Sequence, residues 1–210
     1  FKSKGDESGM RKWFKRHLPF KILKTGIENF TEQDTDNAFK GLGILMWWDS
    51  RFKRVFVTKR DYIVKSKYKN KIYFSEGNIT YVDGIISEKI ELNNSKYFKD
   101  VSWTLAYSPI YNNWISYYDY KPDYAIAYND FFQTGLNYSN DSKEVGIWSH
   151  LLTNKSFQVY YGKKYPWTIE IPIKNVYSNN VLKDLKIWAQ SKRYHNEYDY
   201  VMWRKKSFNK

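Results

Sequence analysis

The pattern of apolar and polar positions changes at residue 41. From there onward, short runs of aromatic and β-branched residues are bounded by clusters of Asn, Asp, Gly and Ser, a pattern typical of β-strands joined by turns. The runs predict three hairpins: residues 41–48 with 55–58, 71–74 with 79–82, and 103–107 with 114–118. The Ser-Glu-Gly-Asn segment between the strands of the second hairpin is typical of a tight turn. Most of the chain is therefore predicted to be antiparallel sheet.

The first 40 residues are patterned differently. Residues 1–24 are basic and polar, and they contain a short predicted helix at 10–17 that Pro19 would end. Residues 25–40 are acidic and rich in turn formers, which predicts a loop. The first 40 residues are therefore predicted to be a basic arm followed by an acidic loop.

The last third of the chain returns to strand patterns. Residues 157–161 form an apolar run, and residues 167–173 alternate apolar and polar side chains, with Pro172 typical of an edge strand. Residues 182–191 also alternate, which favours a strand, although a helix stays open there.

An internal repeat links the hairpins. Trp48 is followed seven residues later by Val55, Tyr107 by Trp114, and His150 by Phe157, and these units start 59 and 43 residues apart. A propeller blade takes roughly 40–50 residues, and blades pack large flat side chains between their small sheets. We therefore expect the aromatic and histidine positions of the repeat to pack between sheets: Trp48, Tyr107, Trp114, His150 and Phe157.

Together these patterns predict an all-β fold, a propeller-like array of small antiparallel sheets with extended basic arms at the termini. Three regions are predicted: a basic arm and acidic loop over residues 1–40, the propeller-like domain over 41–180, and a C-terminal strand with a basic tail over 181–210. We expect the arms to complete sheets or to clasp other chains.

The composition excludes several classes of protein. Trp, Tyr and Phe make up 20% of the 210 residues, which is inconsistent with a disordered chain. The absence of cysteine excludes a disulfide-stapled fold, a zinc ribbon and an iron–sulfur protein. No apolar run approaches the roughly 20 residues of a membrane-spanning helix, so no membrane insertion is predicted.

The net charge of +13 comes mainly from lysine, with 28 Lys against 7 Arg. Much of this excess fits a genome rich in A and T, because Lys, Asn, Tyr, Ile and Phe are the residues of A/T-rich codons. Arg, the specialist for bidentate phosphate contacts, is the minority cation. The charge is concentrated at residues 51–71, which carry +8. Basic side chains of this segment are predicted to contact DNA or neighbouring subunits: Arg51, Lys53, Arg54, Lys59 and Arg60. The alternative is that they form a solvated basic edge, which prevents strands of different molecules from pairing.

No residue pattern predicts catalysis or a cofactor. The sequence lacks the G-x-S-x-G and phosphate-loop motifs, and its histidines, His17, His150 and His195, lack metal-ligand spacing. The acidic loop at Asp34, Asp36 and Asn37 lacks the glycine and distal glutamate of an EF-hand. No enzyme activity, metal or cofactor is therefore predicted.

Two binding chemistries stay open. Three carboxylates lie among aromatic residues, as in enzymes that cleave sugars: Asp119, Asp123 and Asp130. A dense aromatic cluster is also compatible with glycan binding: Tyr111, Trp114, Tyr117, Tyr118 and Tyr120. Turn formation and core packing explain the same residues.

Three segments, in order along the chain, resemble the muzzle proteins at the distal end of the tails of crAss-like bacteriophages. The segments are WWDSRFKRVFVTKRDY at 47–62, WTLAYSPIYNNWISYYDYKPDYAIAYNDFFQTG at 103–135, and IWSHLLTNKSFQVYYGKKYPWTIEI at 147–171. Each motif is short and aromatic, and the resemblance covers roughly residues 40–210.

The resemblance implies a structural protein of the virion, located in the phage tail, with no catalytic residues. It implies a ring of copies, six-fold or twelve-fold, around a channel through which the genome passes, with transient DNA contact. A muzzle protein is longer than 210 residues, so the chain is expected to be a fragment that partners the rest of its precursor and other tail proteins. A glycan-binding or glycan-cleaving host-recognition module and a nucleic-acid-binding protein are the alternatives.

Overall fold

A computed structural model describes residues 10–25, 27–137, 145–151 and 159–165, all within one compact unit, Phe1–Tyr165. The described part holds helix α1 (Met10–His17) and short 3-10 helices at Ile22–Lys24, Glu32–Thr35, Ala38–Lys40 and Ser66–Tyr68. Its strands, in chain order, are β1 (Ile27–Glu28), β2 (Gly43–Asp49), β3 (Arg54–Arg60), β4 (Tyr62–Val64), β5 (Ile72–Ser75), β6 (Asn78–Asp83), β7 (Ile86–Ile90), β8 (Phe98–Asp100), β9 (Trp103–Ser108), β10 (Asn113–Tyr118), β11 (Tyr124–Ala127), β12 (Phe132–Leu136), β13 (Gly146–His150), β14 (Val159–Tyr160) and β15 (Lys163–Lys164). The predicted all-β class is confirmed.

The strands form several small sheets. A four-stranded antiparallel sheet, here called the central sheet, has the order β10-β9-β3-β2. A second sheet has the order β1-β5-β6-β7 and is parallel only between β1 and β5. Strands β11, β12 and β13 form a third sheet, and β4 pairs with β8 as β14 does with β15. Within these described strands no sheet closes on itself.

The central sheet is built from the first and third predicted hairpins, placed side by side. Its register pairs Trp48 with Val55, Val55 with Tyr107, and Tyr107 with Trp114. The closing positions of both repeats therefore form one row across the sheet. Because adjacent strands alternate in direction, both hairpin tips lie at the same end of the sheet, so the two repeats are neighbouring halves of one sheet.

One face of the central sheet, the inner face, packs against the third sheet. Trp47 stacks on Phe56 with ring centroids 4.9 Å apart, and Phe132 of β12 lies 5.3 Å from Phe56. Tyr120 and Tyr161 are buried in the same cluster, here called the Phe56 core. Large aromatic rings fill this space because each buries some 150–250 Å² of surface.

A second cluster, here called the Tyr97 core, lies under the second sheet. Tyr97 is fully buried, and its ring contacts Tyr68 and Tyr81 at centroid distances of 4.7 and 4.9 Å. Apolar residues from the strands and from the N-terminal segment complete it, including Ile22 and Ile72. The described unit therefore has two hydrophobic cores, one for each of its larger sheets.

The N-terminal segment, here residues 10–25 of the described part, packs on the protein, in contrast to the extended arm predicted there. The helix predicted at 10–17 is confirmed as α1, and its Trp13 lies edge-on to Trp103 at 5.1 Å. Phe14 contacts Trp114 at 4.9 Å, and the indole nitrogen of Trp103 donates to the carbonyl of His17. The apolar cluster of this basic segment therefore covers part of the sheet, which the charge pattern alone did not indicate.

The second predicted hairpin is confirmed as β5 and β6. Its two turn residues, Glu76 and Gly77, have φ values of 50° and 75°, the left-handed pair that a tight hairpin turn requires. Strand β7 was not predicted, because four of its five residues are exposed and three consecutive ones are polar. Its sequence therefore does not alternate between apolar and polar residues. The strands predicted at 167–173 and 182–191, Phe157, and the boundary at 180/181 lie outside the described residues.

Candidate functional site

The two hairpin tips of the central sheet form a surface here called the rim. At the first tip, Arg51, Phe52 and Lys53 are exposed, and Lys53 has a φ of 50°. At the second tip, Ile110 and Tyr111 are exposed, with 75% of the Tyr111 surface accessible. Two strand spacings separate the tips, about 10 Å. The rim thus combines basic and aromatic side chains from two turns.

A buried carboxylate organises the first tip. Asp49, 1% exposed, accepts hydrogen bonds from the backbone amides of Arg51 and Phe52 at 3.1 and 3.2 Å. Its other oxygen binds the Arg54 guanidinium at 2.7 Å, and Arg54 also donates to the Tyr118 hydroxyl at 2.8 Å. Arg54 therefore stabilises the turn, whereas Lys53 is exposed and Arg51, also exposed, donates to the Leu151 carbonyl at 2.7 Å.

Two members of the predicted contact set are internal. Lys59 and Arg60 are 1% and 6% exposed, and each is held in an ion pair. The prediction that these two side chains contact DNA or another subunit is corrected, because a buried, paired cation cannot reach an external partner. Of the five predicted contact residues, Arg51 and Lys53 have the exposure that the role requires.

Lys59 and Asp61 anchor the N-terminal segment. Lys59 pairs with Asp61 and donates to the carbonyl of Pro19 at 3.0 Å. Asp61 is fully buried and accepts the backbone amides of Lys21 and Ile22 at 2.7 and 3.2 Å. Burial lowers the pKa of Lys59, and the hydrogen bond to Asp61 opposes that shift. This pair ties the start of the chain to the end of β3.

Arg60 lies on the opposite side of the strand, in a second network. Its Nε lies 2.9 Å from Asp123, and its terminal nitrogen donates to the Tyr62 hydroxyl at 2.8 Å. Burial raises the pKa of Tyr62 to about 12. Burial alone would raise the pKa of Asp100, but Arg60 and Lys121 outweigh it and hold that pKa below its ordinary value. The guanidinium is therefore neutralised by carboxylates.

Arg60 and Asp123 line a cleft of about 540 Å³ between the Tyr97 core and the loop at 30–42. Aromatic rings, side-chain amides and further charged side chains line the rest of the cleft, including Phe39, Phe74 and Asn93. Asp123 was predicted as one of three candidate carboxylates, and it is buried here, whereas Asp119 and Asp130 are exposed. The three candidate carboxylates thus have different environments, one buried at the cleft and two at the surface.

The outer face of the central sheet is apolar and only partly covered. Helix α1 covers Trp103 and Trp114, but Met46 and Trp48 of β2 are 68% and 39% exposed. Met46 shares a row with Val57, Leu105 and the exposed Tyr117. Within this row Leu105 is buried and Val57 half-buried, so the exposed apolar side chains lie at the two edges of the face. Exposed apolar patches mark interaction surfaces.

The predicted packing residues have different environments. Tyr107 and Trp114 contact each other at 5.3 Å on the outer face, beside the partly exposed Trp48. His150 instead lies in the Phe56 core, stacked on Phe132 at 4.7 Å and hydrogen bonded to Thr134. Burial lowers the pKa of His150 to about 4, so the ring is neutral at pH 7. Phe157 lies outside the described residues.

The aromatic cluster considered for glycan binding is divided by the fold. Tyr111 and Tyr117 are exposed, Trp114 and Tyr118 are half-buried, and Tyr120 is 2% exposed inside the Phe56 core. The described residues contain no group of His, Asp or Glu side chains that could hold a metal ion. No helix in the described part is long and apolar enough to span a membrane.

Comparison with known proteins gives no match: no family model, no curated protein and no solved structure matches the chain. The assignment to the muzzle family therefore stays a prediction from the sequence motifs.

Proposed function

We propose that the protein is a structural component of a phage tail, a muzzle or nozzle subunit at its distal end. In this role it lines or gates the DNA exit channel and holds neighbouring tail subunits in a ring of copies. The observation that carries the proposal is the outer face of the central sheet, where apolar side chains of the edge strands β2 and β10, such as Met46 and Tyr117, stay exposed. A second copy of the chain would cover this face, as the resemblance to muzzle proteins implies.

The rim supports a role beside DNA. Arg51 and Lys53 are exposed at one hairpin tip, and Tyr111 is exposed at the other. Two cations suit transient contact with a passing phosphate backbone more than stable binding, because affinity grows with the number of phosphates neutralised. The burial of Lys59 and Arg60 therefore disfavours the alternative of a dedicated nucleic-acid-binding protein.

The architecture proposed for the whole protein is propeller-like. The central sheet shows how two repeats join edge to edge, and its hairpin turns all lie at one end. Further small sheets, supplied by the rest of the precursor, would lie beside this sheet in the manner of neighbouring blades and leave the outer face to a second copy.

Mass spectrometry of purified virions from the phage that encodes the chain tests the location. We expect peptides from residues 41–165 in the tail fraction, together with peptides of a companion segment of the same precursor. Intact-mass measurement of the chain in the particle would show its natural ends. Absence of these peptides from purified virions would refute the proposal.

Sedimentation of the purified 210-residue chain tests the contact surface. We expect concentration-dependent association that Met46→Glu weakens at least tenfold, because the substitution places a charge in the apolar face. Ile86→Glu is the matched control: Ile86 is an exposed apolar residue of β7, in the second sheet. Equal weakening by both variants, or a chain that stays monomeric at all concentrations, would contradict self-association through the outer face.

A further inference from the structure

The cleft beside Arg60 has the size and composition of a small-molecule site. Its volume of about 540 Å³ falls within the range of roughly 300–1,000 Å³ that ligand pockets occupy. It is lined by residues from the 30–42 loop, from the second sheet and from the end of β3. None of this depends on the outer face or the rim, so the cleft requires an explanation of its own.

The floor of the cleft carries no excess charge. Arg60 is 6% exposed, and its guanidinium lies against Asp123 and the Tyr62 hydroxyl. Around the cleft, the charged side chains are nearly balanced: Asp34, Asp36, Glu91 and Asp123 against Lys40, Arg60 and Lys89. In a chain of net charge +13, this is a local departure from a basic surface. A phosphate or another anion would find no unneutralised cation on the floor.

A buried donor in the cleft lacks a protein partner. The side-chain amide nitrogen of Asn93 is buried, and the described residues offer it no hydrogen-bond acceptor. A buried polar atom that makes no hydrogen bond costs about 1–3 kcal/mol, so native proteins rarely retain one without a reason. An acceptor supplied by a ligand would satisfy it.

Aromatic rings complete the site. Phe39 is 54% exposed at the cleft, and Phe74 lines it in edge contact with Phe30 at 4.9 Å. The backbone carbonyl of Phe39 accepts a hydrogen bond from Asn137, another amide of the lining, which holds this loop to the strand end. An exposed ring beside amides and carboxylates matches a molecule that has both apolar C–H faces and many hydroxyls.

We propose that the cleft binds a neutral saccharide. A sugar ring would stack on Phe39, its hydroxyl oxygens would accept from the Asn93 amide, and its hydroxyl hydrogens would donate to carboxylates such as Glu91. This inference goes beyond the proposed structural function and relocates glycan binding from the aromatic cluster of the sequence to a different surface. The near-neutral lining disfavours charged sugars and nucleic acid.

The test is binding of the purified 210-residue chain to an array of neutral and anionic oligosaccharides, followed by titration calorimetry with the best neutral binder. We expect at least one neutral oligosaccharide to bind and the anionic ones to be no better. Phe39→Ala and Asn93→Leu are each expected to weaken binding about tenfold, the effect of losing one important contact.

Tyr111→Ala is the matched control, because Tyr111 is exposed on the rim and belongs to the aromatic cluster of the sequence. It should leave saccharide affinity unchanged, and circular dichroism should show all variants folded. Absence of any bound neutral saccharide, a preference for anionic sugars, or loss of binding in Tyr111→Ala would each overturn the inference. These outcomes are separate from virion mass spectrometry, which tests the proposed function alone.

Discussion

The two faces of the central sheet are similar in sequence and different in environment. Both are lined by large apolar side chains: Trp47 and Phe56 point to the inner face, Met46 and Trp48 to the outer. Among the described residues, the third sheet covers the inner face, whereas α1 and the Pro19–Phe20 segment cover part of the outer face. Apolar side chains therefore line both kinds of surface. A face covered by another part of the same chain becomes core, whereas a face left exposed is available to a partner.

Strand β3 of the central sheet also carries a buried cation on each of its two sides. Lys59, in register with Trp103 of the outer face, holds the N-terminal segment, and Arg60 turns toward the cleft. Two adjacent basic residues thus serve different elements of the fold. Their alternation follows from the two-residue period of a strand.

The largest effect expected is on the inner face. Phe56→Ala should lower the free energy of unfolding by about 3–5 kcal/mol, because it opens a cavity among Trp47, Phe132 and Tyr118. Urea denaturation followed by tryptophan fluorescence measures the change. A loss below about 1 kcal/mol would show that the third sheet does not cover this face.

The next largest effect is expected at the Lys59–Asp61 ion pair, which holds the N-terminal segment on the outer face. Asp61→Ala should cost about 3 kcal/mol or more, because it leaves the Lys59 ammonium buried without its carboxylate and orphans the backbone amides of Lys21 and Ile22. Lys59→Met is the control, since Asp61 then keeps its backbone donors, and it should cost clearly less. The same unfolding assay applies, and equal losses would mean that the ion pair alone holds the N-terminal segment.

A smaller effect depends on pH. The folded pKa of His150, about 4, is below the ordinary value of 6.5, so the unfolded chain binds the extra proton between these values. The contribution of His150 to the free energy of unfolding should therefore be fully present above pH 6.5. It should fall on acidification toward pH 4, by at most about 1.4 kcal/mol per pH unit.

Unfolding at pH 7, 6 and 5 measures that slope in the native chain and in two variants. His150→Phe should remove its contribution, and His17→Gln should retain it, because His17 lies at the end of α1, away from the Phe56 core. A slope unchanged in His150→Phe would assign the acid sensitivity to another group.

The smallest effect is expected on the uncovered outer face. Met46→Ala should change the free energy of unfolding of the monomer by less than about 0.5 kcal/mol, because the side chain is 68% exposed. Measurement below the concentration at which the chain associates isolates this term. A loss comparable to that of Phe56→Ala would erase the distinction between the two faces.

Local patterns predicted much of the fold. Hairpins at Trp48–Val55 and Tyr107–Trp114 follow from β-branched and aromatic runs, and the helix at 10–17 from its apolar cluster and Pro19. Strand β7 escaped because an exposed edge strand lacks a buried alternating face. The sequence also could not show that the two repeats join within one sheet, since pairing between β3 and β9 is set by long-range packing.

The site was less predictable for a related reason. Asp123 was identified as a candidate carboxylate, but its partner Arg60 was assigned to the surface, because charge counting treats every lysine and arginine as solvated. The run Lys59-Arg60-Asp61 carries the one usable signal: a charged triplet that begins inside the apolar strand and ends just after it. The cleft residue Asn93 had no signal, since an unpaired amide is recognisable only once its surroundings are known.

The side-by-side hairpins of the central sheet have a consequence for growth by duplication. A shift of two strands relates the β9–β10 hairpin to the β2–β3 hairpin. Strands β2 and β9 therefore run in the same direction, and both turns lie at the same end of the sheet. A further copy of the hairpin added at β10 would continue the sheet and place its own turn beside the first two. Such a protein can therefore grow by gene duplication. Each added hairpin would place one more turn at the same end of the sheet, and that end would stay exposed.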